Sequence, residues 1–391
     1  MRHFSSKRML GSDGLGAMMA ASDAALSKAV IDLSLGDPDL DTDAAVIEKA
    51  FEDAKRGFTH YAPALGDPDL IDAIRVAWHE DYGIGVDENR IMVTASGCHA
   101  MWLLLSAILD PGDEVIVFAP YFPPYPDQIE AAGGAAVIVG TDPDGGFIPD
   151  ADALGRAIGP HTKAVIVNTP CNPTGACLTR EQMEPLLAIC VNHELLLIAD
   201  DIYTAYDFGS PFVPFAGLAG SDGCVATVKS FSKDYCMSGW RVGYTVAPPD
   251  VIAAMRKVNE SNVFTAPIVS QRAALHALNA RTSIRACVHD TYEKRMAYAL
   301  SRVAGISGVD ASPSSGSLYL FLDVRNSGFT DEAFAAALLE RERISVIPGS
   351  AFGDAGRGFV RIALRVDVAA LAFVFDAIER ITAGGEQEAG D

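Results

Sequence analysis

The sequence predicts an α/β protein: a large domain on a mostly parallel seven-stranded sheet covered by helices, joined to a smaller α+β domain. Three observations lead there. A chain of 391 residues exceeds one ordinary small domain and suits a large unit with a companion. Its composition, 49% apolar and 21% charged, is that of a globular protein with a sizeable core. From about Arg90 to about Val246, short apolar runs alternate with longer amphipathic stretches, the pattern of strand and helix repeating around a parallel sheet.

Taken in order, residues 1–44 read as an arm, or part of the small domain, since they are Gly- and Ala-rich with little periodicity until Ile31–Leu35. Gly11–Gly16 evokes a nucleotide loop, but no strand precedes it, so it reads as part of the arm. Residues 45–280 form the large domain. Its expected strands are Ile91–Thr94, Glu114–Phe118, Ala135–Val139, Lys163–Val167, Leu195–Ala199, Cys224–Val228 and Val242–Val246. Turn signals such as Asp110-Pro111-Gly112-Asp113 separate them. Residues 281–391 form the small domain: a long charged helix, a strand at Ser317–Asp323, a helix from Thr330, strands near Ile344–Ile347 and at Phe359–Ala363, and a final helix.

Charge narrows the function. The 51 acidic against 30 basic side chains leave a formal −21, which repels nucleic acid and anionic lipid. Seven scattered cysteines lack CxxC spacing, so neither a metal site nor a disulfide framework is expected. Without a spanning-length apolar run or a leader pattern, the chain reads as cytoplasmic, with no membrane partner.

Ligands of open parallel sheets bind beyond the carboxyl ends of the strands. Three of those ends are unusual. Asn168-Thr169-Pro170-Cys171-Asn172-Pro173-Thr174-Gly175 follows one strand, Asp200-Asp201-Ile202-Tyr203 the next, and Lys229-Ser230-Phe231-Ser232-Lys233 a third. Together they offer what a phosphorylated aldehyde cofactor requires. Lys233 supplies an amine for a Schiff base, and desolvation beside a cation lowers the pKa of such an amine. Asp200 supplies a carboxylate for a protonated ring nitrogen, and Asn172 and Tyr203 donors for a phenolic oxygen. Ser230, Arg241 and the amides of Ser96, Gly97 and Cys98, where a helix begins, supply a phosphate cradle.

These residues carry a resemblance to the class I/II aminotransferases, the aspartate-aminotransferase-like enzymes of pyridoxal-phosphate fold type I, over most of the chain. Asn172-Pro173-Thr174-Gly175 resembles the family's Asn-Pro-Thr-Gly loop, with Asp200 28 residues after Asn172 and Tyr203 three further on. Ser230-Phe231-Ser232-Lys233, eight residues before Arg241 in Gly239-Trp240-Arg241-Val242-Gly243, is similar to the family's lysine signature. The resemblance implies pyridoxal 5′-phosphate as cofactor, Lys233 as its Schiff-base lysine and catalyst, Asp200 on the ring nitrogen, Asn172 and Tyr203 on the phenolic oxygen, and Ser230 and Arg241 on the phosphate. It implies further that Arg361 clamps the substrate α-carboxylate, with the backbone of Gly36 and with Asn172 also contacting the substrate, and that Phe122 stacks on the ring. Tyr61 resembles the tyrosine that reaches the phosphate from a partner subunit, which implies a homodimer with shared sites. Asp201 departs from the family's usual glutamate and is expected to face away.

The expected reaction is transfer of an α-amino group from an amino acid to a 2-oxo acid in a ping-pong cycle. The same residues leave open a β-lyase or a decarboxylase. A non-catalytic cofactor-sensing regulator would need a nucleic-acid-binding module that neither the arm nor the charge supplies.

Overall fold

The computed structural model describes residues 30–209, 211–313 and 315–388, together with Gly16. The rest of Gly11–Gly16, and the other residues of the predicted arm before residue 30, lie outside the described residues. A two-residue strand, β1 (Ile31–Asp32), comes first. The large sheet follows with β2 (Ile91–Thr94), β3 (Glu114–Ala119), β4 (Ala135–Gly140), β5 (Thr162–Asn168), β6 (Leu196–Asp200), β7 (Val225–Ser230) and β8 (Gly243–Val246). Its spatial order is β2-β8-β7-β6-β5-β3-β4. The strands from β7 across to β4 pair in parallel, whereas β8 runs antiparallel to both of its neighbours.

All seven predicted strands are present, within two residues at each end. The exception with a consequence is β7, expected to stop at Val228. It continues through Lys229 and Ser230, because both residues still pair with β8, opposite Tyr244 and Gly243. Ser230 therefore sits in a strand rather than in the loop after it.

The inner strands are buried on both faces, which explains their near-continuous apolar runs. Ala226 and Val228 of β7 pack with Met92, Leu104 and Met255 on one side. On the other, Ala199 and Leu197 of β6 pack with Leu186, Leu187 and Phe215.

The second core lies in the C-terminal part. It joins the helix Arg281–Val303 and the antiparallel sheet β12-β13-β10-β9 to the last helix. The strands are β9 (Asp310–Ala311), β10 (Tyr319–Asp323), β12 (Ile347–Pro348) and β13 (Phe359–Ala363), with β11 (Ile344–Ser345) paired in parallel to β1. Leu33, fully buried, belongs to this core. Its amide donates to Ser345 O (2.9 Å) and its carbonyl accepts from Ala363 N (2.9 Å). The early segment 31–36 is thus woven into the C-terminal core and carried to the carboxyl edge of the large sheet. Among the described residues, no helix is long and apolar enough to cross a membrane.

Candidate active site

The carboxyl ends of β5, β6 and β7 gather the loops that hold the candidate residues. Lys233 lies in the turn after β7, and that turn is tied down from several sides. Tyr206 Oη donates to Lys233 O (3.1 Å), while Asp234 accepts from Ala205 N (3.0 Å) and Thr204 Oγ1 (2.5 Å). Lys233 Nζ donates to Gly36 O at 2.5 Å, across 197 residues of sequence. Desolvation, assisted by the charges of Arg361 and Arg241 and opposed by Asp37, brings its pKa down to about 8.

Arg361, in the middle of β13, is 1% exposed. Its Nη1 donates to Asn172 Oδ1 (2.9 Å) and its Nη2 to Ser34 O. The rings of Tyr319 and Phe352 lie 4.4 and 4.9 Å from the guanidinium carbon. The buried Nε has no partner, and no carboxylate among the described residues pairs with the group. A buried cation met only by neutral acceptors and ring faces is held in place without being neutralised.

Asp200 closes β6 and is 5% exposed. Tyr125 Oη donates to its Oδ2 in a short bond, and Oδ1 is buried without a partner. Burial pushes the carboxyl up to about 6, against the Tyr125 hydrogen bond that favours its ionised form. Asn168 bridges the two neighbouring loops: its Nδ2 donates to Asp200 O (2.7 Å), and its Oδ1 accepts from Asn172 N (2.7 Å). Tyr203, 3% exposed, shares a 3.1 Å hydrogen bond with Tyr319 Oη.

The helix Gly97–Ile108 starts where backbone segments approach unusually closely. A Cβ on Gly97 would stand 3.1 Å from Ser230 Cβ, and one on Gly243 would stand 2.7 Å from Gly97 N. Backbone leaves no room for a Cβ at Gly243, whereas one at Gly97 would have to push Ser230 aside, so the start of this helix lies close against the ends of β7 and β8. Ser96 caps the helix by accepting from His99 N (3.1 Å), and takes φ 109° to do so. Ser230 Oγ donates to Ser232 Oγ (2.9 Å) and accepts from Ser232 N (3.1 Å). Arg241 has left-handed backbone (φ 53°) and an exposed side chain whose Nη1 donates to Ser238 O (2.8 Å).

The structure therefore links Lys233, Gly36, Asn172 and Arg361 through direct or shared contacts, and sets Ser230 against Gly97. Phe122 packs edge-on against Tyr125, with ring centroids 5.6 Å apart. The Cys98 side chain and carbonyl are both held by Gln128 Nε2 (3.2 and 3.1 Å). No hydrogen bond ties Tyr61 to this group; it is 83% exposed and its ring meets Phe264 at 5.2 Å. Asp201 turns from Asp200 to the side of Lys229; burial pushes its carboxyl up to about 7 while Lys229 pulls it down. Sequence reasoning assigned no role to Tyr125, Ser34, Tyr319 or Phe352. Tyr125 stood in a run of aromatics and prolines, where only spacing to Phe122 offered a signal; the Ser34 contact is a backbone carbonyl and leaves none.

A lysine of lowered pKa, a buried arginine without an acid and a carboxylate with one bare oxygen are thus brought to the loops that follow β5, β6 and β7. The chain belongs to the class I and II aminotransferases: the family described as "Aminotransferase class I and II" matches residues 28–378. It is 37% identical over 337 residues to the aspartate/prephenate aminotransferase of Thermus thermophilus, covering 85% of this chain and 86% of the relative. It is 33% identical to an arginine–pyruvate transaminase of Pseudomonas aeruginosa, covering 85% and 84%. The solved structure of the Thermus thermophilus aspartate aminotransferase with maleate superposes with a TM-score of 0.92 at 32% identity, covering 97% of this chain and all of that one.

Proposed function

We propose that this aminotransferase holds pyridoxal 5′-phosphate at the carboxyl ends of β5 to β7 and moves an α-amino group from an amino acid to a 2-oxo acid, with Lys233 as cofactor lysine and catalyst. The observation that carries this reading is Arg361, a buried guanidinium with no acid of its own, on the same short chain of contacts as Lys233. Such a cation is reserved for an anion that arrives from solution, and its planar fork suits a carboxylate.

The donor set fits the cofactor. Asp200 has a buried oxygen without a partner for a ring nitrogen. The glycine-lined start of the helix Gly97–Ile108, with Ser96, Cys98, Ser230 and Arg241 near it, suits a phosphate. Asn172 and Tyr203 would hold the phenolic oxygen, and Phe122 would cover the ring. When bound, the cofactor supplies a covalent link to the amine and an electron sink for the bond that breaks at its α-carbon.

The chain's own residues do the rest. Arg361 binds and orients the α-carboxylate, while the backbone of Gly36 lies beside it, close against Tyr319, where a Cβ would overlap the hydroxyl. Lys233 Nζ, neutral in a useful fraction because its pKa lies near 8, takes the proton from the substrate α-carbon and returns one in the reverse half-reaction. Asp200 keeps its charge near neutral pH, above its value of about 6. Exposed Tyr61 acts in a second copy of the chain, so the working form is a homodimer with shared sites. The functional unit divides into an arm or small-domain segment at 1–44, a large domain at 45–280 and a small one at 281–391. The compartment is the cytoplasm.

The test is transfer of label. Incubation with ¹⁵N-labelled amino acids and an unlabelled 2-oxo acid should place ¹⁵N in the new amino acid, read by mass spectrometry. Release of the label as ammonia without transfer would replace this reading with a lyase.

A further inference from the structure

The Asp200 carboxylate is held asymmetrically. Its Oδ2 accepts from the Tyr125 hydroxyl, and its Oδ1 is buried and bare. Tyr125 sits in the first turn of the helix Pro124–Ala131, 3% exposed, with its amide on Phe122 O (3.1 Å). Its ring meets Phe122 edge-on at 82°. The phenol therefore joins two parts of the site that come from different strands' ends: the aromatic after β3 and the carboxylate at the end of β6.

We propose that Tyr125 is a positioning residue for Asp200: its hydroxyl fixes the carboxylate by one oxygen, keeps it ionised, and reserves the other oxygen for the ring nitrogen of the bound cofactor. The proposal rests on the reading that Asp200 receives that nitrogen. The surroundings explain why a dedicated donor is needed. The titratable groups close enough to interact with the carboxyl are Tyr125, Cys98 at the start of its helix, Cys171 after β5, Tyr203, and the sequence neighbour Asp201, whose own side chain turns away. None is a cation, so nothing but the phenol opposes the upward push of burial on Asp200. The single charge-assisted bond also divides the two oxygens: with one taken by the phenol, the other remains free. Tyr125 pays for this with a hydroxyl held well above the ordinary phenol range by burial and by the Asp200 charge, which keeps it a donor.

The test is the pH dependence of cofactor binding by the full-length apoprotein, titrated with pyridoxal phosphate and followed by visible absorption between about pH 5 and about pH 9. In the wild type, binding weakens on acidification through an acid limb as Asp200 takes up a proton. Asp200→Asn should remove that limb. Tyr125→Phe keeps the ring and its packing on Phe122, and should move the limb up by about one pH unit, since a hydrogen bond to a charged group is worth about tenfold or more. Replacement of Tyr125 alone by 3-fluorotyrosine, a more acidic phenol of nearly the same shape, should move the limb down, and carries the test if Tyr125→Phe fails to fold. A limb that disappears in Asp200→Asn yet stays put in both Tyr125 variants overturns the proposal and leaves the Asp200 reading intact. A limb that survives Asp200→Asn overturns both.

Discussion

Arg272 and Arg361 are both buried, 7% and 1% exposed, and are held in opposite ways. Arg272, on the helix Ile268–Asn279, donates to Asp53 (2.7 Å), Asp67 (2.9 Å) and Asp69 (2.8 Å), and stacks on Phe58 at 4.1 Å. Against the upward push of burial, the Arg272 hydrogen bond, with His276 and the cation's charge, holds the Asp53 carboxyl below its usual range. Every charge there is answered inside the protein. Arg361 touches only an amide oxygen, a carbonyl and two rings. The difference separates a charge used to hold the helices Ala44–Lys55, Pro68–Tyr82 and Ile268–Asn279 together from one that, on the proposed function, is kept available for a ligand.

The largest expected effect falls at neither arginine but at Lys233, the proposed cofactor lysine. Lys233→Ala should lose at least about 10³-fold in turnover, the middle of the range for a positioned acid–base catalyst, with the fold retained by circular dichroism. Arg361→Lys should lower kcat/KM by about 10²-fold, chiefly through KM for both amino acid and oxo acid, with thermal stability little changed. Arg272→Ala should do the reverse. It strands two buried carboxylates, Asp53 and Asp67, and should cost about 3–5 kcal/mol in denaturant unfolding, while the folded fraction keeps its KM. An Arg272 variant with normal stability and a raised KM would break the comparison.

A smaller effect concerns pH. Because the folded pKa of Lys233 is lowered from 10.5 to about 8, its amine is mostly protonated below that value and mostly neutral above it. Labelling of Lys233 by an amine-specific reagent in the apoprotein, read by peptide mass spectrometry, should therefore rise with pH around a midpoint near 8. An ordinary surface lysine would rise with a midpoint near 10.4. The smallest effect belongs to the exposed pair of Arg380 and Glu342, bonded at 2.6 Å. Arg380→Ala should cost less than about 1 kcal/mol and leave activity unchanged.

Much of this was readable in the chain before folding, for definite reasons. Buried parallel strands announce themselves as short apolar runs, and the ligand-facing residues follow them directly, so Asn172, Asp200 and Lys233 stood out by position. What crosses the molecule did not. Gly36 O meets Lys233 Nζ, and Ser34 O meets Arg361, only because Leu33 is drawn into the C-terminal core. Backbone carbonyls carry no identity for a sequence pattern to show. The extension of β7 through Ser230 was hidden too, since Lys229 and Ser230 read as polar loop residues until β8 supplies their pairing partners. Arg272 and its three aspartates are separated by as many as 219 positions, a distance that no local pattern spans.

The most direct measurement is the visible spectrum of the purified protein reconstituted with pyridoxal phosphate, taken alone, then with one amino acid, then with a 2-oxo acid. The account predicts a visible band in the wild type that bleaches with an effective donor and returns with pyruvate or 2-oxoglutarate, and no such lysine-linked band in Lys233→Ala. A wild-type protein that shows no band after reconstitution, or a Lys233→Ala protein that cycles like the wild type, would contradict it.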